Sequence, residues 1–304
     1  MIPRSGSFRL FRLLGIEVFL HWSWFVVAVF AINNRRDSYS SLAWNAAEYM
    51  ALFVIVLLHE FGHALACRQV GGQANRIVLW PLGGVAFVAP PQRPGATLWA
   101  IAAGPLVNLV LLPPALVLAG VSQYMGWGNV FPDAQGFLWA MVYINLGLLV
   151  FNLLPVYPLD GGQILRSLLW FALGRTRSLK VATLIGFAGA AALLVGAVFM
   201  TSVWLGLLAL FMLVTCWRGW KQAAVLSRMD TMSRHLGFSC PACKAAPPVG
   251  AFWICHYCRT QFDTFATGAS CPKCQARFET TTCLQCGAFR PMPDWIQLQP
   301  TSPG

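Results

Sequence analysis

Four side chains in two short segments carry the chemistry that is easiest to read in this sequence. His59, Glu60 and His63 form HEFGH inside VIVLLHEFGHALAC, and Asp160 stands in NLLPVYPLDGG. On a helix, residues at i and i+4 share a face, so both imidazoles can hold one Zn²⁺, and Glu60 can take a proton from an attacking water. A charge at the centre of a bilayer costs about 2.5–3.5 kcal/mol on insertion scales, so ionisable groups in so apolar a run mark a functional site. The plain alternative is a pair of histidines that hydrogen-bond between helices. Three costly groups at this spacing argue against it.

Catalytic zinc usually has three protein ligands and one open position. Cys67 continues the same stripe, but its Cα lies about 9 Å along the axis from the midpoint of the histidine pair, and Glu48 lies about 16 Å from His59. Cys67 therefore reads as core. Ala66 and Gln69 stand where the longer pattern HExxHxxGxxH needs Gly and His. Asp160 remains, beside Gly161 and Gly162, where irregular chain can aim a carboxylate into a cavity. Its other role would be to cap the helix that begins near Gly161.

The elements around these residues must sit mostly in lipid. The chain has 304 residues, 57% hydrophobic and only 10% charged, with a mean hydropathy of +0.61, whereas soluble domains carry about 25% charged residues. This excludes an ordinary soluble globule, and disorder, a collagen-like repeat and a small disulfide scaffold are excluded with it. Apolar runs at about 16–32, 49–67, 98–121, 137–154, 181–200 and 203–217 predict about six spans. The first run begins too far in, without a small-residue cleavage site, to be a removable leader. Arg and Lys before the first span, between the second and third and between the fourth and fifth place those segments and both termini in the cytoplasm. Arg35 and Arg36 are a mild violation. Within the core, NRIVLWPLGGVAFVA (75–89) reads as a hairpin around Gly83-Gly84, too short to span. Non-helical backbone at membrane depth must line protein or a cavity. His21, in FLHWSWF, reads as a packed or interfacial residue.

Through HEFGH in one span and NLLPVYPLDGG in a later one, the chain resembles the site-2 protease family of intramembrane zinc metalloproteases. WPLGGVAF is similar to that family's membrane-embedded hairpin, and AGPLVN (103–108) to its Gly-Pro-x-x-Asn segment. The resemblance covers about 16–166. It implies His59, His63 and Asp160 as zinc ligands and Glu60 as general base. It also implies Asn108, Asn152 and the hairpin glycines Gly83 and Gly84 as substrate-binding groups. Each asparagine has an alternative use as hydrogen-bonding glue between helices.

Eight of the ten cysteines form four CxxC pairs: Cys240/Cys243, Cys255/Cys258, Cys271/Cys274 and Cys283/Cys286. Two such pairs make a closed four-thiolate zinc site with no open position, which is structural. A reducing cytoplasm disfavours disulfides. Sequential pairing predicts two ribbons, Cys240, Cys243, Cys255 and Cys258 in the first and Cys271, Cys274, Cys283 and Cys286 in the second. Between Cys240 and Cys286, Lys244, Arg259, Lys273 and Arg277 are opposed by Asp263 and Glu279. No basic stripe for nucleic acid results, so the ribbons read as a protein-docking module.

The sequence thus predicts a polytopic α-helical membrane protein with a small membrane-embedded β-hairpin and a zinc-ribbon tail. The expected divisions are a metalloprotease core at 1–217, a basic connector at 218–239, two ribbons at 240–286 and a flexible tail at 287–304. The expected function is peptide-bond hydrolysis in membrane-protein substrates, with one catalytic and two structural zinc ions. A vestigial zinc-dependent scaffold and a metal transporter are the alternatives. Glu60 argues against the first, and the lack of a repeated HEFGH or NLLP segment argues against the second.

Overall fold

The computed structural model describes residues 6–80 and 83–296. The chain divides into two compact units, Met1–Pro90 with Pro94–Trp220, and Lys221–Gly304 with Pro91–Arg93. In the first unit the order is β1 (Ser7–Leu13), β2 (Ile16–His21), α1 (Ser23–Asn34), α2 (Leu42–Gln69), β3 (Gln73–Trp80), β4 (Gly83–Ala89) and α3 (Pro94–Tyr124). The one-turn α4 (Trp127–Val130), α5 (Pro132–Leu153), α6 (Asp160–Phe199) and α7 (Val203–Asp230) follow, α7 belonging to this unit as far as Trp220.

Among the described residues five helices, α2, α3, α5, α6 and α7, are long and apolar enough to cross a bilayer. The first apolar run is not a sixth such helix. It splits into β2 and the 12-residue α1, about 18 Å long against a ~30 Å hydrocarbon core. The reason lies in IEVFLH, whose strict alternation of buried and half-buried residues is a strand period that an almost wholly apolar window hides. The run still travels along α2. Arg68, in the last turn of α2, donates to the carbonyls of Leu14 (2.5 Å) and Gly15 (3.1 Å), and Asn45, near the start of α2, donates to that of Arg35 (2.5 Å). Within α6, Gly174 has φ 77°, so this element is two helices meeting at a glycine.

The expected hairpin belongs to a larger sheet of order β1-β2-β3-β4, in which β2 runs parallel to β3 and the other pairs are antiparallel. Gly83 and Gly84 are not its turn. They open β4, opposite Trp80 and Leu79, and Pro81 and Leu82 lie outside the described residues. One face of the sheet packs Ile16, Val18, Leu20, Ile77 and Leu79 against Val56, Phe61, Ala64 and Cys67 of α2. Cys67 is core, as its axial distance requires. His21 stacks on Trp80 with ring centroids 4.6 Å apart.

The second unit holds two short hairpins, β5 (Trp253–Ile254) with β6 (Gln261–Phe262), and β7 (Thr280–Thr282) with β8 (Phe289–Pro291). Residues 287–296, expected as flexible tail, are folded instead. After β8 a 3-10 turn at Met292–Trp295 buries Trp295 beside Cys240, Phe265 and Cys283. An indole that large is the main apolar anchor such a small core can find. Residues 297–304 lie outside the described residues.

Candidate metal centre and active site

α2 carries His59 and His63 on one face, and α6 brings Asp160 to them. The approach depends on the two glycines that follow Asp160. A methyl group at Gly161 would overlap the carbonyls of Leu153 and Leu154, and one at Gly162 would overlap the backbone of Val156 and Tyr157. Only glycine lets the first turn of α6 fold back so tightly on the end of α5. Asp160 does not cap α6: Leu159 is the N-cap, without a side-chain bond. Its carboxylate faces the imidazoles instead.

The three donor atoms form a near-regular triangle. His59 Nε2 lies 3.0 Å and His63 Nε2 3.3 Å from Asp160 Oδ2, and the two Nε2 atoms are 3.1 Å apart. Ligand atoms about 2.0–2.1 Å from a tetrahedral Zn²⁺ are about 3.3 Å from one another. The hydrogen bonds behind the rings fix the same outcome. His59 donates from Nδ1 to Asn108 Oδ1 (2.5 Å) and His63 from Nδ1 to the carbonyl of Ala100 (2.9 Å). With both ring protons on Nδ1, both Nε2 atoms present lone pairs to a carboxylate oxygen that also has only lone pairs. Three acceptors at such distances repel one another unless a cation lies between them. The donor set therefore suits zinc, with hard and borderline ligands and a neutral imidazole pair.

α3 closes this side of the site by coming close. A methyl group at Gly104 would overlap His63 Nε2, and one at Gly62 would press on the carbonyl of Ala103, 2.7 Å away. Pro105 has no backbone N–H to offer the carbonyl of Ile101, next to the Ala100 carbonyl that receives His63.

Glu60 leaves α2 on the face adjoining the histidine pair, toward β4. Its Oε2 accepts the backbone N–H of Ala86 on β4 (2.8 Å), and a methyl group at Gly84 would overlap its side chain. Gly84 thus meets the site by making room for the carboxylate. Glu48 is buried elsewhere, between Arg35 (3.2 Å) and the Tyr39 hydroxyl (2.6 Å).

The two expected asparagines part company. Asn108 is fully buried and holds His59, whereas Asn152, half-buried near the end of α5, makes none of these hydrogen bonds. Asn145, about two helical turns earlier on α5, carries no motif that singles it out in the sequence. Its Oδ1 accepts from Asn108 Nδ2 (2.7 Å) and its Nδ2 donates to the Asn108 carbonyl (2.8 Å). This pair turns the Asn108 oxygen toward His59, because the amide nitrogen is already committed. The one available signal was a lone amide in the middle of an apolar span. Asn145→Leu is expected to leave the helices inserted and to lower zinc affinity about 10–100-fold, the cost typical of outer-shell losses. A zinc-chelator competition titration checks it, and an unchanged affinity refutes the relay.

In the second unit the cysteines meet in nested order. Cys240, Cys243, Cys283 and Cys286 form one cluster, and Cys255, Cys258, Cys271 and Cys274 the other. This corrects the sequential pairing. Within the clusters the sulfurs of Cys240 and Cys286 are 3.7 Å apart, those of Cys243 and Cys283 3.8 Å, and those of Cys255 and Cys274 and of Cys258 and Cys271 both 3.5 Å. CxxC spacing fixes two ligands on one turn but says nothing about which turns meet. That is decided by Phe265 and Trp295, which pack with Cys240 and Cys283, while Phe262 packs with Cys255 and Cys271. His256 is in neither cluster. Asp263 accepts N–H bonds from Gly250, Phe265 and Ala266 and pairs with His235 at 2.8 Å. Burial raises its carboxyl, but these donors outweigh that and hold it below the usual range. Nesting predicts that Cys240→Ser combined with Cys283→Ser removes one of two tail zinc ions. Sequential pairing predicts the loss of both, so elemental analysis of the double variant decides.

The profile of peptidase family M50 matches residues 47–134 and 129–196. The zinc metalloprotease MJ0392 of Methanocaldococcus jannaschii is 32% identical over 230 residues, 76% of this chain and 64% of that protein. Stage IV sporulation protein FB of Bacillus subtilis is 36% identical over 118 residues, 38% of each chain. The solved site-2 protease from Methanocaldococcus jannaschii superposes with a TM-score of 0.51 at 28% identity, over 70% of this chain and 95% of that one. The match to MJ0392 thus takes in less than two thirds of that relative's length. With a family profile that spans the histidine pair and Asp160, and five apolar helices around them, this integral membrane protein belongs to peptidase family M50, the site-2 protease family.

Proposed function

We propose that the chain is an intramembrane zinc metalloprotease that hydrolyses peptide bonds within or near the spans of membrane proteins. The observation that carries this reading is the triangle of lone-pair donors, His59, His63 and Asp160, with Glu60 beside it on the same helix. His59, His63 and Asp160 would hold zinc, which would supply Lewis-acid polarisation of the scissile carbonyl and a more acidic water. Glu60 accepts the proton of the attacking water and returns it to the leaving amine. Asn108 and Ala100 hold the imidazoles in the tautomer that leaves Nε2 free. Gly84 and the Ala86 N–H set the position of the Glu60 carboxylate. A helical substrate hides its carbonyls, so an extended segment alongside β4 is the form the site can reach. The test is cleavage of a purified single-span protein in proteoliposomes. Absence of a zinc-dependent product from a zinc-loaded chain, across a panel of spans of differing helix stability, counts against the reading.

The Arg and Lys distribution supports a cytoplasmic N-terminus and a cytoplasmic tail. In that reducing compartment the tail clusters hold two structural zinc ions and serve as a module that docks substrates or partner proteins. The whole chain should then carry three zinc ions. Truncation near Arg234 should leave one by elemental analysis, together with cleavage of a generic unstable span in detergent. A truncated protein that keeps its zinc but loses that cleavage would show that the tail builds the active site rather than docking partners.

A further inference from the structure

β1 is apolar on a face that no other element of its unit fully covers. The register sets Phe8 opposite Leu20, Phe11 opposite Val18 and Leu13 opposite Ile16. Opposed residues share a face of a sheet, and these three β2 residues are the buried ones that pack on α2. Phe8, Phe11 and Leu13 therefore extend the core face of the sheet, yet they are 43%, 38% and 51% exposed. A bulge makes this possible. The register shifts between Arg9 and Phe11, so Leu10 is bulged out of the ladder; were Leu10 paired with Val18 instead, Phe11 would oppose Glu17 and turn to the other face, and Arg12 would oppose Ile16.

That other face is basic. Arg9 and Arg12 stand opposite Phe19 and Glu17, with Arg9 ion-paired to Glu17 at 3.2 Å. Arg12 forms no ion pair among the described residues. The apolar face also continues into α1, which is apolar from Trp24 to Ile32. Phe8 stacks on Phe25 of α1, with centroids 5.9 Å apart at 15°, and Phe25, Val26, Val29 and Phe30 of that helix are all exposed.

We propose that β1 is a lipid-contacting strand. Its Phe8, Phe11 and Leu13 face lies against the acyl chains at one boundary of the bilayer, and Arg12 reaches the phosphates of anionic phospholipid headgroups. An apolar face backed by a basic one is the arrangement that interfacial elements use. A bulge and arginines on an edge strand also discourage pairing with a second chain. The free edge of β1 needs water or headgroups for its backbone N–H groups, which places it at the boundary and not in the hydrocarbon. Since β1 is one edge of the sheet and β4 the other, this contact sets the depth at which β4 lies beside Glu60.

The test uses the full chain in nanodiscs of phosphatidylcholine and phosphatidylglycerol at three to one. A benzoylphenylalanine photo-crosslinker replaces Phe11 in one variant and Phe8 in another, with insertion checked by retained zinc. Mass spectrometry of the adducts should show phospholipid at both positions, with phosphatidylglycerol enriched about fivefold over its bulk ratio. Arg12→Glu in the crosslinking background should abolish that enrichment and leave the lipid adducts. Adducts only to polypeptide would replace lipid by a protein partner, and the absence of adducts would place the strand in water. Enrichment that survives Arg12→Glu would remove Arg12 from headgroup contact. Each of these three results overturns the proposal.

Discussion

Glu60→Gln should retain the catalytic zinc and lose at least about 10³-fold in cleavage rate, the upper part of the range for a general base. The substitution keeps the volume of the side chain, which matters because Gly84 leaves no spare room around it. The amide oxygen can still accept the Ala86 N–H, so the link between α2 and β4 persists. What disappears is the basic lone pair that takes the proton from the attacking water. Zinc should stay, because Glu60 is not one of the three converging donors. The measurement is paired, zinc content and single-turnover cleavage on the same preparation. Cleavage by the zinc-loaded variant at more than about a tenth of the parent rate would remove Glu60 from the proton path.

Asp160→Asn should have the opposite signature, a loss of metal that precedes any loss of chemistry. The carboxylate lies 3.0 and 3.3 Å from the two Nε2 atoms, supplying the only negative charge of the triangle. A neutral amide is a weaker ligand, and it can present its NH₂ group to the histidine lone pairs, forming hydrogen bonds where the metal should be. Zinc affinity should fall by at least about 100-fold, more than an outer-shell loss costs. Because Gly161 and Gly162 rather than the carboxylate fix the fold of this turn, the variant should insert normally. Excess zinc should partly restore cleavage, which it cannot do for Glu60→Gln. If zinc content and activity both survive in Asp160→Asn, another residue is the third ligand.

The sequence by itself determined those parts of this protein whose chemistry is set by local spacing. An i, i+4 histidine pair faces one way on any helix, a CxxC turn presents two thiols wherever it lies, and an apolar run of about 20 residues crosses a bilayer in any fold. HEFGH, the aspartate beside paired glycines, the eight tail cysteines and five of the six apolar runs were legible for that reason. Partner choice over long separations was not. The pairing of Cys240 and Cys243 with Cys283 and Cys286 depends on how Phe265 and Trp295 fill one small core. The Asn145–Asn108–His59 relay joins three different helices, so no spacing within any one of them reveals it. The first apolar run became a strand and a short helix because the sheet offered β2 a parallel partner in β3, far along the chain. In each case the deciding energy is a contact between segments remote in sequence, which local pattern cannot record and only the folded chain brings into being.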